Sequence, residues 1–214
     1  MTRPTGLRER KKLRTRNTIS SAAIDLFLEK GFDHVSVSEI AAAAEVTKST
    51  VFVYFAGKDE LVLHRAADHL DEPARVVRER IPGKSPLDAL TDHFLAQLAA
   101  RNAITGLCDK PEVIAYNQLL FGTPSLAGAR ARYQERMTEL LTDALHESAP
   151  EQPALTARLA AGQITMTQML LMRTNQERMA QGTTADGLAA QARDEAAGAF
   201  AMLRGGLTPY AGCA

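Results

Sequence analysis

The sequence predicts an all-α protein. No stretch of convincing length alternates apolar and polar residues as a half-buried strand would. The 214 residues are rich in Ala, Leu, Glu, Gln and Arg, which favour helix. Residues 36–61, SVSEIAAAAEVTKSTVFVYFAGKDEL, carry two helix starts separated by a short turn. A hydrophobic content of 45%, with Gly and Pro gathered mainly at a few breaks, indicates a soluble globular chain of one or two domains with a sizeable core.

Taken in order, the first helix is expected over Arg10–Lys30, with Ile19, Ala22, Ala23, Leu26 and Phe27 at core spacing and Gly31 as C-cap. Ser36 and Glu39 have capping-box spacing, and Val35 with Ile40 forms a hydrophobic staple around it. Val37, Ile40, Ala41 and Ala44 then lay an apolar stripe along a helix too short to bury it alone. The turn is Ala44, Glu45, Val46, after which Thr47 caps a second short helix. On that helix Val51 and Phe55 face inward and Lys48, Ser49 and Thr50 occupy the exposed first turn. This is the arrangement of a helix-turn-helix that reads DNA in the major groove, or of an ordinary helical hairpin with a solvated polar face.

A fourth helix starts near Lys58 and carries Leu61, Leu63, His64, Ala67 and Leu70 until Pro73, which either marks a hinge or bends the helix around its neighbours. The Pro-, Gly- and Ser-rich segment Ile81–Pro86 is the next break. Further helices are expected over 86–101, 111–121, 125–148, 154–181 and 186–204, with Pro111 at an N1 position and Ser125 capping after the Gly122-Thr123-Pro124 turn. Nine helices result.

The string TKSTVFVYFAGKDEL, following SEIAAAAEV and an amphipathic helix ending in LFLEKGF, resembles the tetracycline-repressor (TetR) family of bacterial regulators, over about Arg10–His64. That family also has nine helices. The resemblance implies a helix-turn-helix DNA-binding domain over 1–60 and a ligand-binding and dimerisation domain over 61–214. It makes Thr47, Lys48, Ser49, Thr50, Phe52, Tyr54 and Lys58 the DNA-facing set, with Ser36 grouped beside them and Lys58 on the phosphate backbone. The family usually has tyrosine where this chain has Phe52. Phenylalanine cannot donate to phosphate, so Phe52 contacts a thymine methyl or sugar, or merely packs.

The chain is neutral overall, but its charge is unevenly placed. Residues 1–16 hold Arg3, Arg8, Arg10, Lys11, Lys12, Arg14 and Arg16 against Glu9 alone, so this stretch carries +6 and the remainder −6. A basic arm there can follow phosphates or the minor groove, or be a solvated tail. No apolar segment follows it, so it is not a targeting signal, and no run of about 18 apolar residues predicts a membrane span. Cys108 and Cys213 make no disulfide framework, and the cytoplasm is the expected compartment.

The last two helices mix small and large apolar residues. Ala157, Ala160, Ala161 and Ile164 share one face, and Leu188, Ala189, Ala192, Ala196 and Ala199 another. Small residues permit close helix approach, either inside one subunit or, as the resemblance implies, in a four-helix bundle across a homodimer two-fold suited to a palindromic operator. The resemblance also implies a small-molecule effector. Its candidate lining is Phe94, Leu98, Tyr116, Leu120, Phe121, Met137, Met166, Met169 and Arg173, residues that serve equally well as core. An elongated apolar molecule with an anionic end, such as a fatty acyl derivative, fits that set.

No cofactor motif or enzyme signature is present. His64 and Asp68 beside His69 make a conceivable metal pair without an evident third ligand, and nothing brings Cys108 to His93 or His146 as a nucleophilic pair. Two function classes remain: a ligand-responsive repressor, and a helical binding or catalytic protein whose helix-turn-helix no longer reads DNA.

Overall fold

The computed structural model describes residues 6–207 and Tyr210, except for the side chains of Leu7 and Arg8. Arg3, the Arg8 side chain and Cys213 therefore lie outside the described residues. The helices are α1 (Leu7–Lys30), α2 (Val37–Ala43), α3 (Lys48–Tyr54), α4 (Lys58–Leu63), α5 (Glu72–Arg78), α6 (Pro86–Ala99), α7 (Pro111–Gly122), α8 (Ala127–Ser148), α9 (Ala154–Ala180) and α10 (Ala185–Gly206). No strand occurs among the described residues.

Between α4 and α5 the backbone runs as a 3-10 helix over His64–His69. These three pieces occupy the single fourth helix expected from the sequence. Counted as one interrupted element, they leave nine helices in the anticipated order among the described residues. Pro73 is not the breaker. It sits in the first turn of α5, where its missing N–H costs no helical bond. The α-helix has already ended at Leu63, and a 3-10 run of this length marks a site of local unwinding.

The chain packs as two compact units. The first holds the described residues up to Ala67 together with Ala115–Arg130; the second holds Asp68–Ile114 and the described residues from Ala131 onward. The division after Ala67 falls inside the 3-10 stretch. The segment 115–130 joins the first unit because Leu119, Leu120 and Leu126 are buried in its core with Ile19, Phe27, Ile40, Val51, Phe55, Leu61 and Val62. Two long-range bonds pin that core. Ser20 Oγ donates to the Leu61 carbonyl at 2.8 Å, and Tyr116 Oη donates to the Val62 carbonyl at 2.9 Å. Burial pushes the Tyr116 phenol up to about 12, so it stays a donor.

In the second unit, α6, α9 and α10 supply most of the core. Phe94 and Phe200 meet at 5.7 Å between ring centroids, among Leu87, Leu90, Ile164, Leu188 and Ala196. Gly106 lies at φ +75°, and an added Cβ would stand 2.1 Å from the Met172 carbonyl oxygen of α9, so only glycine fits this close approach. Beside it, Asn175 Nδ2 donates to the Thr105 carbonyl at 2.9 Å, and Asp109 Oδ2 accepts the Ala185 N–H at the start of α10 at 2.8 Å.

The small residues of α9 and α10 need a correction. Ala157, Ala160, Ala161, Ile164, Leu188, Ala192 and Ala196 are all buried inside this unit, and Ala189 and Ala199 are half-buried. They let α10 pack closely within one subunit. What α9 leaves open is Leu155, Leu159, Met166 and Leu170, one helical stripe at 46–65% exposure. On α10 the open apolar positions are Ala190, Ala197, Ala201 and Met202.

Candidate nucleic-acid interface

The first unit builds a helix-turn-helix from local bonds. At the start of α2, Ser36 Oγ accepts the Glu39 N–H at 3.2 Å while Glu39 Oε2 accepts the Ser36 N–H at 2.9 Å, which completes the capping box. The Ser36 N–H and hydroxyl, with Lys30 at 3.1 Å, hold the Glu39 carboxyl down to about 2. Ser36 is thus spent on the cap. The turn closes as a Schellman motif: Val46 N–H bonds the Ala41 carbonyl and Glu45 N–H the Ala42 carbonyl, with Glu45 left-handed at φ 55°. A side chain there carries strain that glycine would not.

At α3, Thr47 Oγ1 accepts the Thr50 N–H at 3.1 Å and lies 2.8 Å from both Ser49 Oγ and Thr50 Oγ1. Three hydroxyls are therefore locked into one network at the helix start. Val51 and Phe55 are buried as expected, and Tyr54 packs partly into the same core. The outward face of α3 comprises Lys48, Ser49, Phe52 and Val53. Phe52 is 51% exposed and Val53 75%, so Phe52 does not merely pack. The sequence does not mark Val53 as exposed, because a valine two residues from the core positions Val51 and Phe55 reads as more core.

Lys58, which the resemblance places on the phosphate backbone, also makes internal bonds. Its Nζ donates to the carbonyls of Phe32 and Val35, both at 2.9 Å, and stands 4.7 Å from the centre of the Phe32 ring. Two of its three N–H groups tie the segment before α2 to the start of α4, which leaves one for an external anion.

The basic N-terminal stretch is helical from Leu7, so Arg10–Arg16 are part of α1 and not a loose arm. Arg10, Lys11, Lys12 and Arg14 are exposed, and Arg16 lies over the Phe55 ring at 5.2 Å. A shallow groove along this helix is lined by Arg10, Leu13, Arg14, Asn17, Thr18 and Ser21.

The nine residues anticipated around an effector divide between the units. Tyr116, Leu120 and Phe121 belong to the first core, with Leu120 buried and Arg130 over the Phe121 ring. Phe94 and Leu98 are buried in the second core. Met137 and Met169 are half-buried, Met166 is exposed, and Arg173 pairs with Glu177 at 3.2 Å. Helical spacing placed these side chains on faces but did not distinguish which core each face serves.

The histidines also take other partners. His64 Nε2 meets Asn17 Oδ1 at 2.9 Å and its ring stands edge-on to Phe55. In the second unit the carboxylate of Glu72 is bracketed by His69 Nδ1 at 2.5 Å and His93 Nε2 at 2.7 Å. Burial alone would raise Glu72, but these two donors hold it down to about 2, and the hydrogen bond to Glu72 raises His69. Nothing in the sequence paired Glu72 with His93, 21 positions away.

A capped helix-turn-helix with an exposed polar and apolar second helix, followed by a bundle of long helices, defines a protein of the DNA-binding regulator fold. Residues 19–64 match the family model described as "Bacterial regulatory proteins, tetR family". The N-terminal domain belongs to the TetR family, in a TetR-like fold. The chain is 36% identical over 134 residues to the HTH-type transcriptional regulator TcmR of Streptomyces glaucescens, a match covering 62% of this chain and 59% of the relative. The chain thus spans less than two thirds of that relative's length. Among solved structures, NalD of Pseudomonas aeruginosa, the secondary repressor of the MexAB-OprM multidrug efflux pump, superposes with a TM-score of 0.59 at 21% identity, over 88% of this chain and 96% of that one. The transcriptional regulator FadR of Bacillus subtilis, solved with stearoyl-CoA, gives 0.51 at 18% identity, over 84% and 96%. No helix among the described residues is long and apolar enough to cross a membrane.

Proposed function

We propose that this protein is a ligand-responsive transcriptional repressor that works in the cytoplasm, binds a palindromic operator as a homodimer through α3, and is not an enzyme. The observation that carries this reading is the outward face of α3. Its exposed Lys48 and Ser49, with the Thr47–Ser49–Thr50 hydroxyl network, stand on a rigidly capped helix inside the segment that matches the family model. Hydroxyls and an ammonium at that end of a second helix suit base edges and phosphates in the major groove. The homodimer forms through the open stripe of α9 and the exposed α10 positions Ala190, Ala197 and Ala201, which gives the two-fold that a palindrome requires.

The effector is a small apolar or acyl-type molecule held by the second unit, through those of the anticipated residues that lie in it: Phe94, Leu98, Met137, Met166, Met169 and Arg173. The stearoyl-CoA bound to FadR supports that class. Release follows from differential affinity, so effector and operator must weaken each other's binding by the same factor. The test is a footprint on the DNA upstream of the protein's own gene at two salt concentrations. Protection of two half-sites about one helical turn apart, lost steeply as salt rises, is the expected result. Protection no better than that of random DNA would overturn the reading.

A further inference from the structure

The outward face of α3 ends in two adjacent apolar side chains that stand largely open to solvent. Phe52 is 51% exposed and Val53 75%. Each lies one helical turn beyond a polar residue, Phe52 after Lys48 and Val53 after Ser49, so the face presents two parallel rows, each polar first and apolar second. Neither a phenyl ring nor an isopropyl group can hydrogen-bond to a phosphate or a base edge. In the major groove the one apolar feature of a base is the C5-methyl of a thymine.

Resting on the reading that α3 enters the major groove, we propose that Phe52 and Val53 form an apolar clamp on pyrimidine 5-methyl groups, so that each operator half-site requires thymine at the positions beneath them. The occupant is DNA and not an apolar protein surface because of the company the pair keeps. Lys48 precedes it on the same face, and the same unit exposes Arg10, Lys11, Lys12 and Arg14. That charge complements a duplex. Lys48 and Ser49 supply hydrogen bonds or phosphate contact, while Phe52 and Val53 distinguish thymine from cytosine, which presents no methyl.

The probe is a duplex selected by the full-length chain from a randomised pool, then synthesised with thymine or with deoxyuridine in its half-sites. Deoxyuridine pairs identically and lacks only the methyl. Wild type should bind the uridine duplex less tightly by about four-fold for each clamped methyl, the factor that burial of one methylene corresponds to. Phe52→Ala and Val53→Ala should each lose part of that preference, and the double variant should bind both duplexes equally. Equal binding of the two duplexes by wild type overturns the clamp while leaving DNA reading intact. A preference retained in the double variant would come from DNA deformability and also overturns it. Loss of self-association in the double variant, with no change in methyl preference, would assign the face to a second copy. If the selection enriches no sequence, the clamp and the proposed function fall together.

Discussion

A carboxylate introduced at Ala192 and one introduced at Leu159 probe two different surfaces of the α9–α10 pair. Ala192 is 2% exposed in the core shared with Leu188, Ala196 and Phe200. A glutamate there is buried without a counter-charge, a penalty of about 3–5 kcal/mol, with roughly 1–3 more for overpacking. Against a typical domain stability of about 5–15 kcal/mol, Ala192→Glu should unfold the second unit or bring it close to unfolding. Leu159 is 57% exposed, and the same change in an isolated subunit should alter stability by less than about 0.5 kcal/mol. Its effect appears only in the dimer. Covering the open parts of Leu155, Leu159, Met166, Leu170 and Met202 in two subunits yields on the order of 10 kcal/mol. Association costs roughly 4–15 kcal/mol, so the balance is close. Two facing carboxylates across a two-fold, several kcal/mol together, should raise the dimer Kd by roughly 100-fold or more. Sedimentation velocity at micromolar concentration, with circular dichroism and urea melts, separates the outcomes. Leu159→Glu should sediment as a helical monomer, and Ala192→Glu should lose its urea midpoint. A wild-type monomer, or a Leu159→Glu dimer of unchanged affinity, would refute the interface. An unchanged midpoint in Ala192→Glu would refute the packing.

Lys58→Ala removes the donor from two carbonyls and the charge from the Phe32 ring, so it should cost about 1–3 kcal/mol in urea melts as well as weakening all DNA sequences alike. Lys48→Ala should leave the melt unchanged and lower the salt slope by about one per subunit; equal melts for the two variants would return Lys58 to a purely external role. Glu45→Gly, at φ 55°, should stabilise the first unit by about 1 kcal/mol, and a destabilised variant would show that the left-handed turn is not strained. The His69–Glu72–His93 cluster makes the second unit pH-sensitive. His69 is raised above 6.5, so its contribution is complete below about pH 6.5 and is lost as pH rises through the folded value. Glu72 is lowered from 4.5 to about 2, so its contribution is present above pH 4.5 and is lost as pH falls toward 2. The urea midpoint should therefore fall between pH 6 and 8.5 more in wild type than in His69→Gln, with Asp68 and Arg75 common to both; parallel profiles would show that the histidine does not contribute.

The parts of this fold that were legible in the sequence are those whose cause lies within about four residues. The capping box needs only Ser36 and Glu39, the α3 cap only Thr47 and Thr50, and the end of α1 only Gly31 donating to the Phe27 carbonyl. Each pairs a side chain or an amide with a backbone group that helix geometry already places nearby. The Lys58 bonds to Phe32 and Val35, and the Glu72 bond to His93, join separate elements. Which carbonyl or imidazole a long side chain reaches depends on how helices cross, and a single sequence does not state that.

The small residues of α9 and α10 show why the gap is physical and not a matter of closer reading. An alanine stripe says that something approaches within a short distance; it carries no mark of whether the approaching helix belongs to the same chain. Ala192 and Ala196 satisfy the condition inside one subunit, where Phe200 and Leu188 fill the space that their short side chains leave. Once those faces are occupied, Leu155, Leu159, Met166 and Leu170 acquire significance. Leucine and methionine left at 46–65% exposure along one stripe of a 27-residue helix form a contiguous apolar surface, and such a surface marks an interaction site far more strongly than alanines do. The proposed dimer face is therefore reached by elimination: folding consumes the close-packing face first, and the larger apolar side chains that remain are the ones open to a second subunit.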